Sequence, residues 1–334
     1  MGVRRLLCVS CNSKLTAWGK TKSGKKRWHC GVCKSSRIYH GRKPANVIDL
    51  FKQYVLWGLT YEMLSSISGF SVRYLEDQFH SFLKLDPPKL PKFKQSGLDE
   101  AYLLIDGLWF GRWFVLMVYR QSGNLRILHI SVAGVEVATK ISKDIKILVK
   151  ANYRFTGIVS DGGVGIVSAV SEVFPHIPHQ ICLAHMHRRI IAALGRYSKD
   201  YRVRELKYLA DYVWLIESKE KLAWWKDKLR KWIDKNLLFL IEKHRDETGR
   251  SWYVHTGVRK AGRMMTKLPK TSFVFLDHPT MPKTTNELEA TFGHLGQRWL
   301  RHKGLKKERW EPFLRWFTYF YNKEKMSCKN TKEG

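Results

Sequence analysis

The stretch TGIVSDGGVGIVSAVSEVFPHIPHQICLAH, residues 156–185, decides how the rest of this chain is read. Its β-branched run Gly157-Ile158-Val159 leads to Asp161 and is broken at once by Gly162-Gly163, a pattern that predicts a buried strand with an acid at its carboxyl end. An amphipathic helix through Val173 should follow, and then a second strand carrying Cys182 just ahead of His185. Open α/β sheets hold their chemistry at the carboxyl ends of strands. The competing reading is a carboxylate that merely caps the next helix, so the surrounding chain has to decide between the two.

Upstream, AYLLIDG predicts a buried strand ending in Asp106. RWFVLMVYR and LRILHISVAG predict two more strands, joined by a hairpin turn at Ser122-Gly123-Asn124. ATKISKDIKILVKANY then reads as a helix crossing to the Asp161 strand. A right-handed crossover lays the Asp106 and Asp161 strands side by side and parallel, so their carboxylates meet at one end of the sheet. Cys182 and His185 lie close by in sequence, open to a role at the site or to a plain structural one.

Downstream, residues 186–280 carry no strand pattern and read as an α-helical insertion, with Trp214, Trp224, Trp225 and Trp232 expected in its core. In KTTNELEATFGHLGQRWLRHKG, Thr284 and Glu287 have the spacing of a capping box. Glu289 lies about 200° around the helix from Glu287 and is the acid left to face a site. Gly293 and Gly296 share its row, and interior helix glycines each cost about 1 kcal/mol against alanine, which predicts that a backbone or a nucleic acid passes closely there. Arg298, Arg301 and Lys303 beyond them are candidate contacts to a DNA backbone. Asp106, Asp161 and Glu289 together form the oxygen donor set that a pair of Mg2+ or Mn2+ ions needs for phosphoryl transfer.

The amino-terminal region has its own signals. Cys8-x-x-Cys11 and Cys30-x-x-Cys33 supply two thiolate knuckles for one structural zinc ion, predicting a zinc ribbon over residues 1–43. Lys25, Lys26 and Arg27 between the pairs form a basic finger that could lie along phosphates, or a solvated hairpin tip. Residues 44–85 read as three helices separated at Gly58 and Gly69, with Thr60 and Ser71 as helix caps. That is the outline of a helix-turn-helix, with Ser71, Arg73 and Tyr74 opening its third helix as the candidate DNA-contacting residues; a plain helical bundle is the alternative. A Pro-rich connector, residues 86–97, separates these helices from the strands.

Sixty Lys and Arg against 29 Asp and Glu leave a net charge of +31 on 334 residues. A field of that sign and size calls for a polyanion, with nucleic acid first in line. No apolar run approaches the roughly 18 residues of a spanning helix, and the expected location is cytoplasmic and nucleoid-associated, where thiols stay reduced.

The motifs taken together resemble a known family. DG after the first core strand, SDGG at 160–163, FP at 174–175, Q-x-C-x-x-H at 180–185 and TTN-x-x-E at 284–289 are similar to those of the DDE transposases of bacterial insertion sequences, in the Mutator-like superfamily, some of which begin with a zinc ribbon. The resemblance implies an α/β chain with a ribonuclease-H-like catalytic core over 98–185 and 281–325, interrupted by the helical insertion and preceded by the ribbon and the helix-turn-helix. It implies Asp106, Asp161 and Glu289 as catalytic metal ligands, a supporting role for Cys182 and His185, and a dimer or higher assembly on DNA. The activity implied is binding of terminal inverted repeats, followed by DNA cleavage and strand transfer. Two positions depart from the family pattern: Arg189 stands where asparagine is usual after the C-x-x-H, and Phe292 where asparagine often follows the glutamate. The alternatives are a domesticated DNA-binding protein without catalysis and a metal-dependent nuclease of the same fold.

Overall fold

The computed structural model describes residues 8, 11, 13–22, 24–38, 46–90, 101–123 and 126–330. Most of the expected connector and Asn124 of the hairpin turn lie outside them.

The segment with the four cysteines is a small antiparallel sheet of β1 (Leu15–Lys20), β2 (Lys26–Cys30) and β3 (Ser36–Ile38). Three helices follow. α1 (Val47–Lys52) runs on as a π-helical turn to Trp57 and stops at Gly58, whose φ of 66° suits a residue without a Cβ. α2 (Tyr61–Ser68) is capped by Thr60 and ends at Gly69, and α3 (Val72–Leu83) is capped by Ser71, as the sequence predicts. The apolar residues of α2 and α3 are only partly buried. Leu64, Leu75 and Phe79 are sealed, while Met63, Ile67 and Val72 face solvent.

The centre is a five-stranded mixed sheet. β4 (Tyr102–Phe110), β5 (Phe114–Gln121) and β6 (Ile127–Ala133) form an antiparallel meander. α4 (Ala138–Lys150) then crosses to β7 (Gly157–Ser160), which pairs with β4 in parallel. α5 (Val164–Val173) leads to β8 (His179–Ile181) beside β7, giving the order β6-β5-β4-β7-β8. The alternation of β4 sorts the core. Leu103 and Ile105 pack with α4 and α5 in one cluster, and Tyr102 and Leu104 join the cluster on the opposite face.

Two strand ends differ from expectation. β4 does not stop at Asp106 but continues to Phe110, because its antiparallel pairing with β5 persists after its parallel pairing with β7 ends at Ile105. Cys182 is not on β8 but opens the next helix.

The region expected to be purely helical contains α6 (Leu183–Leu194), α7 (Tyr201–Asp211), α8 (Lys219–Lys235), α9 (Leu237–Ile241) and α10 (Thr256–Lys267). It also contains a small hairpin of β9 (Lys243–Arg245) and β10 (Ser251–Tyr253), too short and too polar to show a strand pattern. Trp225 and Trp232 are core, whereas Trp214 and Trp224 are about 40 % exposed. The two ends of this region are stitched together. Leu183 N donates to Lys283 O at 3.0 Å and Thr285 N to the Cys182 sulfur at 3.3 Å.

α11 (Asn286–Arg301) and α12 (Lys307–Asn330) close the chain. They share one hydrophobic cluster with α1 and α3: Phe51 meets Trp316 and Phe320, and the Trp316 indole donates to Phe82 O. Arg298 and Arg301 belong to this seam. Arg298 is buried and donates to Leu56 O at 2.6 Å, and Arg301 donates to Gly58 O at 3.4 Å. The expectation that Arg298 grips DNA is corrected: its guanidinium satisfies a helix end that would otherwise lie unpaired. Lys303 is exposed.

Candidate active site and cysteine cluster

The parallel register fixes the two aspartates. Ile105 pairs with Ser160, so Asp106, the next residue of β4, and Asp161, the first residue after β7, follow the same register pair. Asp106 is 3 % exposed, and burial raises its pKa, with the neighbouring charge of Asp161 adding to the effect. It accepts hydrogen bonds from Gly107 N at 2.8 Å and from the Thr285 hydroxyl at 2.7 Å. Asp161 accepts from Gly163 N at 2.9 Å, across the turn into α5. Asp161 does not cap α5, whose cap position is Gly163 with no side-chain hydrogen bond; its carboxylate braces the turn before the helix instead.

Thr285 joins three elements. Its hydroxyl holds Asp106, its backbone N–H meets Cys182, and it opens α11. His185 Nε2 stands 3.9 Å from Asp106 Oδ2, and its pKa is raised by the hydrogen bond with Cys182 and by the charge of Asp106. Burial alone would raise the Cys182 thiol, but hydrogen bonds from His185 and Thr285 outweigh it and bring the thiol below its usual range. Cys182 and His185 thus stand behind Asp106.

Glu289 lies on α11 one turn beyond Thr285, is about half exposed, and pairs with Arg188 at 3.1 Å. Glu287 is not the capping glutamate that its spacing suggests. Its carboxylate accepts from Ser122 Oγ at 2.7 Å and Gly123 N at 3.0 Å and faces buried Arg120 at 3.4 Å, tying the start of α11 to the β5–β6 hairpin. No protein atom outside the helix lies within 4 Å of where a Cβ would sit on Gly293 or Gly296, so the close protein backbone expected there is absent among the described residues.

A fourth acid, Glu136, was not visible as a motif. It lies between β6 and α4, half-buried, with its pKa raised by burial and then by the charges of Asp161 and Asp106. The one signal in the sequence is the spacing of glycines at 163 and 165, which proves to follow the path of the Glu136 segment: a Cβ on Gly165 would meet Glu136 O at 2.6 Å.

The other candidate site is the set of cysteines. The sulfurs of Cys8, Cys11, Cys30 and Cys33 all lie within 4.8 Å of one another, with Cys8 to Cys33 at 3.5 Å and Cys11 to Cys30 at 3.4 Å. A tetrahedral zinc with Zn–S near 2.3 Å sets its sulfurs about 3.8 Å apart, so the cluster is compatible with such an ion. Trp28 packs over it. Lys25, Lys26 and Arg27 are exposed at the tip of the hairpin and its second strand. On α3, Arg73 and Tyr74 are exposed, while the Ser71 hydroxyl is engaged by Tyr74 N as the cap. No helix among the described residues is long and apolar enough to cross a membrane.

Comparison with known proteins bears on the centre of the chain. Residues 120–248 match the family described as "Transposase, Mutator family". The chain is also 33 % identical over 172 residues to the transposase for insertion sequence element ISRM5 of Rhizobium meliloti (strain 1021). That alignment takes in 50 % of this chain and 39 % of the relative, so the match spans well under half of the relative's length. The family match includes Asp161, Cys182 and His185 and leaves Asp106 and Glu289 outside it. The resemblance to the Mutator-like transposases of bacterial insertion sequences, read from the motifs, is borne out by the match of residues 120–248 to that family and by the likeness to an insertion-sequence transposase.

Proposed function

We propose that the protein is a DNA transposase that binds the terminal inverted repeats of its insertion sequence and carries out DNA cleavage and strand transfer in a ribonuclease-H-like core. The observation that carries this reading is the placing of Asp106 and Asp161 side by side, each directly after the last parallel pair Ile105–Ser160 of β4 and β7, in a chain with a Mutator-family match. The strand order β6-β5-β4-β7-β8, with α4 and α5 packed on one face, supports the ribonuclease-H-like assignment.

Asp106, Asp161 and Glu289 would hold two Mg2+ or Mn2+ ions. The donor set suits such hard cations, since every candidate ligand is a carboxylate oxygen. Bound there, the ions would activate the attacking oxygen and stabilise the leaving one. The chain's own residues do the positioning. Thr285 and Gly107 N fix one carboxylate, Gly163 N fixes the other, and Cys182 and His185 hold Thr285 and Asp106 in register. Arg188, paired with Glu289 at 3.1 Å, would steady that third acid. The +31 charge holds the substrate backbone.

The ribbon, with one structural zinc on Cys8, Cys11, Cys30 and Cys33, and helices α1–α3 would read the element ends, working as a dimer or higher assembly on DNA in the bacterial cytoplasm. Lys25, Lys26 and Arg27 serve phosphates, and Arg73 and Tyr74 serve base edges. The decisive experiment is strand transfer of a labelled element end with Mg2+ by wild type and Asp161→Ala. Equal product from the two sinks the catalytic assignment. Metal analysis of the full-length chain should give about one zinc per protomer, and none after Cys8→Ser and Cys30→Ser together.

A further inference from the structure

Three glycines are shaped around Glu136. A Cβ on Gly107 would come within 2.6 Å of its Oε1, one on Gly163 within 2.9 Å of its Oε2, and one on Gly165 within 2.6 Å of its carbonyl oxygen. None of the three has the positive φ that calls for glycine on conformational grounds. What glycine supplies at these positions is room. Two of the three flank the aspartates, Gly107 following Asp106 and Gly163 lying two residues after Asp161. The Asp161 oxygens themselves lie 3.3 and 3.7 Å from the point that a Gly163 Cβ would occupy. The Glu136 and Asp161 carboxylates therefore converge on one spot.

We propose that Glu136 is a further carboxylate ligand of the divalent-cation site at Asp106 and Asp161. The inference rests on the reading of that site as a metal centre. Its oxygens are donors of the same hard kind as those of the aspartates. Like charges held this close repel one another, and a cation shared among them removes the repulsion. Glu289 is engaged by Arg188 and about half exposed, so Glu136 gives the aspartates a third oxygen donor without breaking that pair. The simpler role for Glu136, an acid favourably placed at the amino end of α5, predicts a small change in stability and none in metal affinity.

The test is Mn2+ binding by the full-length protein without DNA, read from the electron paramagnetic resonance of free Mn2+, for wild type, Glu136→Gln, Asp161→Asn and Glu289→Gln. Circular dichroism of each metal-free variant checks the fold. Glu136→Gln should weaken Mn2+ binding by about tenfold or more, and by more than Glu289→Gln does. Glu136→Asp, which keeps the charge and shortens the reach, serves if the glutamine variant does not fold and should also weaken binding. Wild-type affinity in the folded Glu136 variant, with binding lost in Asp161→Asn, overturns the role of Glu136 and leaves the metal centre standing. No Mn2+ binding by wild type, or none lost in Asp161→Asn, overturns both.

Discussion

Replacing Thr285 by valine removes one hydroxyl and almost no volume. In the native protein that hydroxyl donates to Asp106 at 2.7 Å, and the acceptor is 3 % exposed, so water cannot take its place. Among the described residues the direct hydrogen bonds to this carboxylate come from Thr285 and Gly107 N, with His185 farther off at 3.9 Å. A hydrogen bond to a charged group contributes about 1.5–3 kcal/mol net, and an acceptor left buried and unpaired costs a similar amount. We expect Thr285→Val to lose about 2 kcal/mol, a fall of roughly 4–8 °C in melting temperature for a domain of 150–250 residues and somewhat less for this longer chain. Thr285→Ser restores the hydroxyl and should recover most of the loss. Thermal unfolding by circular dichroism at pH 7, without metal, measures both, and strand-transfer rates of the same proteins should follow the same order. Thr285 acts through Asp106 as a positioning residue, so a Thr285→Val protein that melts with wild type, or a serine variant no better than valine, would refute the reasoning.

Phe51 is fully buried against Phe79, Phe82, Trp316 and Phe320; Phe51→Ala should cost about 3–5 kcal/mol, and urea unfolding should still show α1–α3 and α12 melting together. A separate early transition for the first helices would count against a shared core. Arg298→Met should lower stability by about 1–3 kcal/mol through the lost bond to Leu56 O. Lys303→Ala should leave the melting temperature alone and reduce the salt slope of DNA binding by about one; the reverse pattern would return Arg298 to the DNA. His302 is 6 % exposed against Tyr54 O, and burial holds its pKa down to about 4. Because the unfolded chain takes up that proton near pH 6.5, stability is whole above that pH, falls as pH drops, and levels below about 4, a change of about 3 kcal/mol at most. His302→Gln should flatten that part of the stability curve, and an unchanged slope would show that another group carries it.

The legible parts of the chain were those in which local chemistry and tertiary structure agree. Thr60, Gly69 and Ser71 punctuate helices because their backbone demands are local, and they sit where the sequence puts them. The strand order followed from apolar runs and a single crossover rule, enough to bring Asp106 and Asp161 together. Glu287 misled because a capping box is a statement about neighbours in sequence, while its partners Arg120, Ser122 and Gly123 come from another hairpin. Arg298 misled for a similar reason: a basic helix face reads the same whether it meets phosphate or a carbonyl more than 200 residues away in the chain. Glu136 had no motif because its partners are glycines, whose contribution is the side chain they lack.

The stitched ends of the helical region have a mechanical consequence. The path out to α6 and the path back are joined where Cys182 meets Thr285 and Leu183 meets Lys283, and again where Ile181 N donates to Thr271 O at 2.8 Å and the Gln180 amide to Ser272 O at 2.8 Å. A displacement of α6 relative to the sheet is resisted at each of these joints. At one of them stands the hydroxyl that holds Asp106. The carboxylate's position is thereby set jointly by the sheet, by the start of α6 and by the start of α11, so its placement depends on all three being folded together.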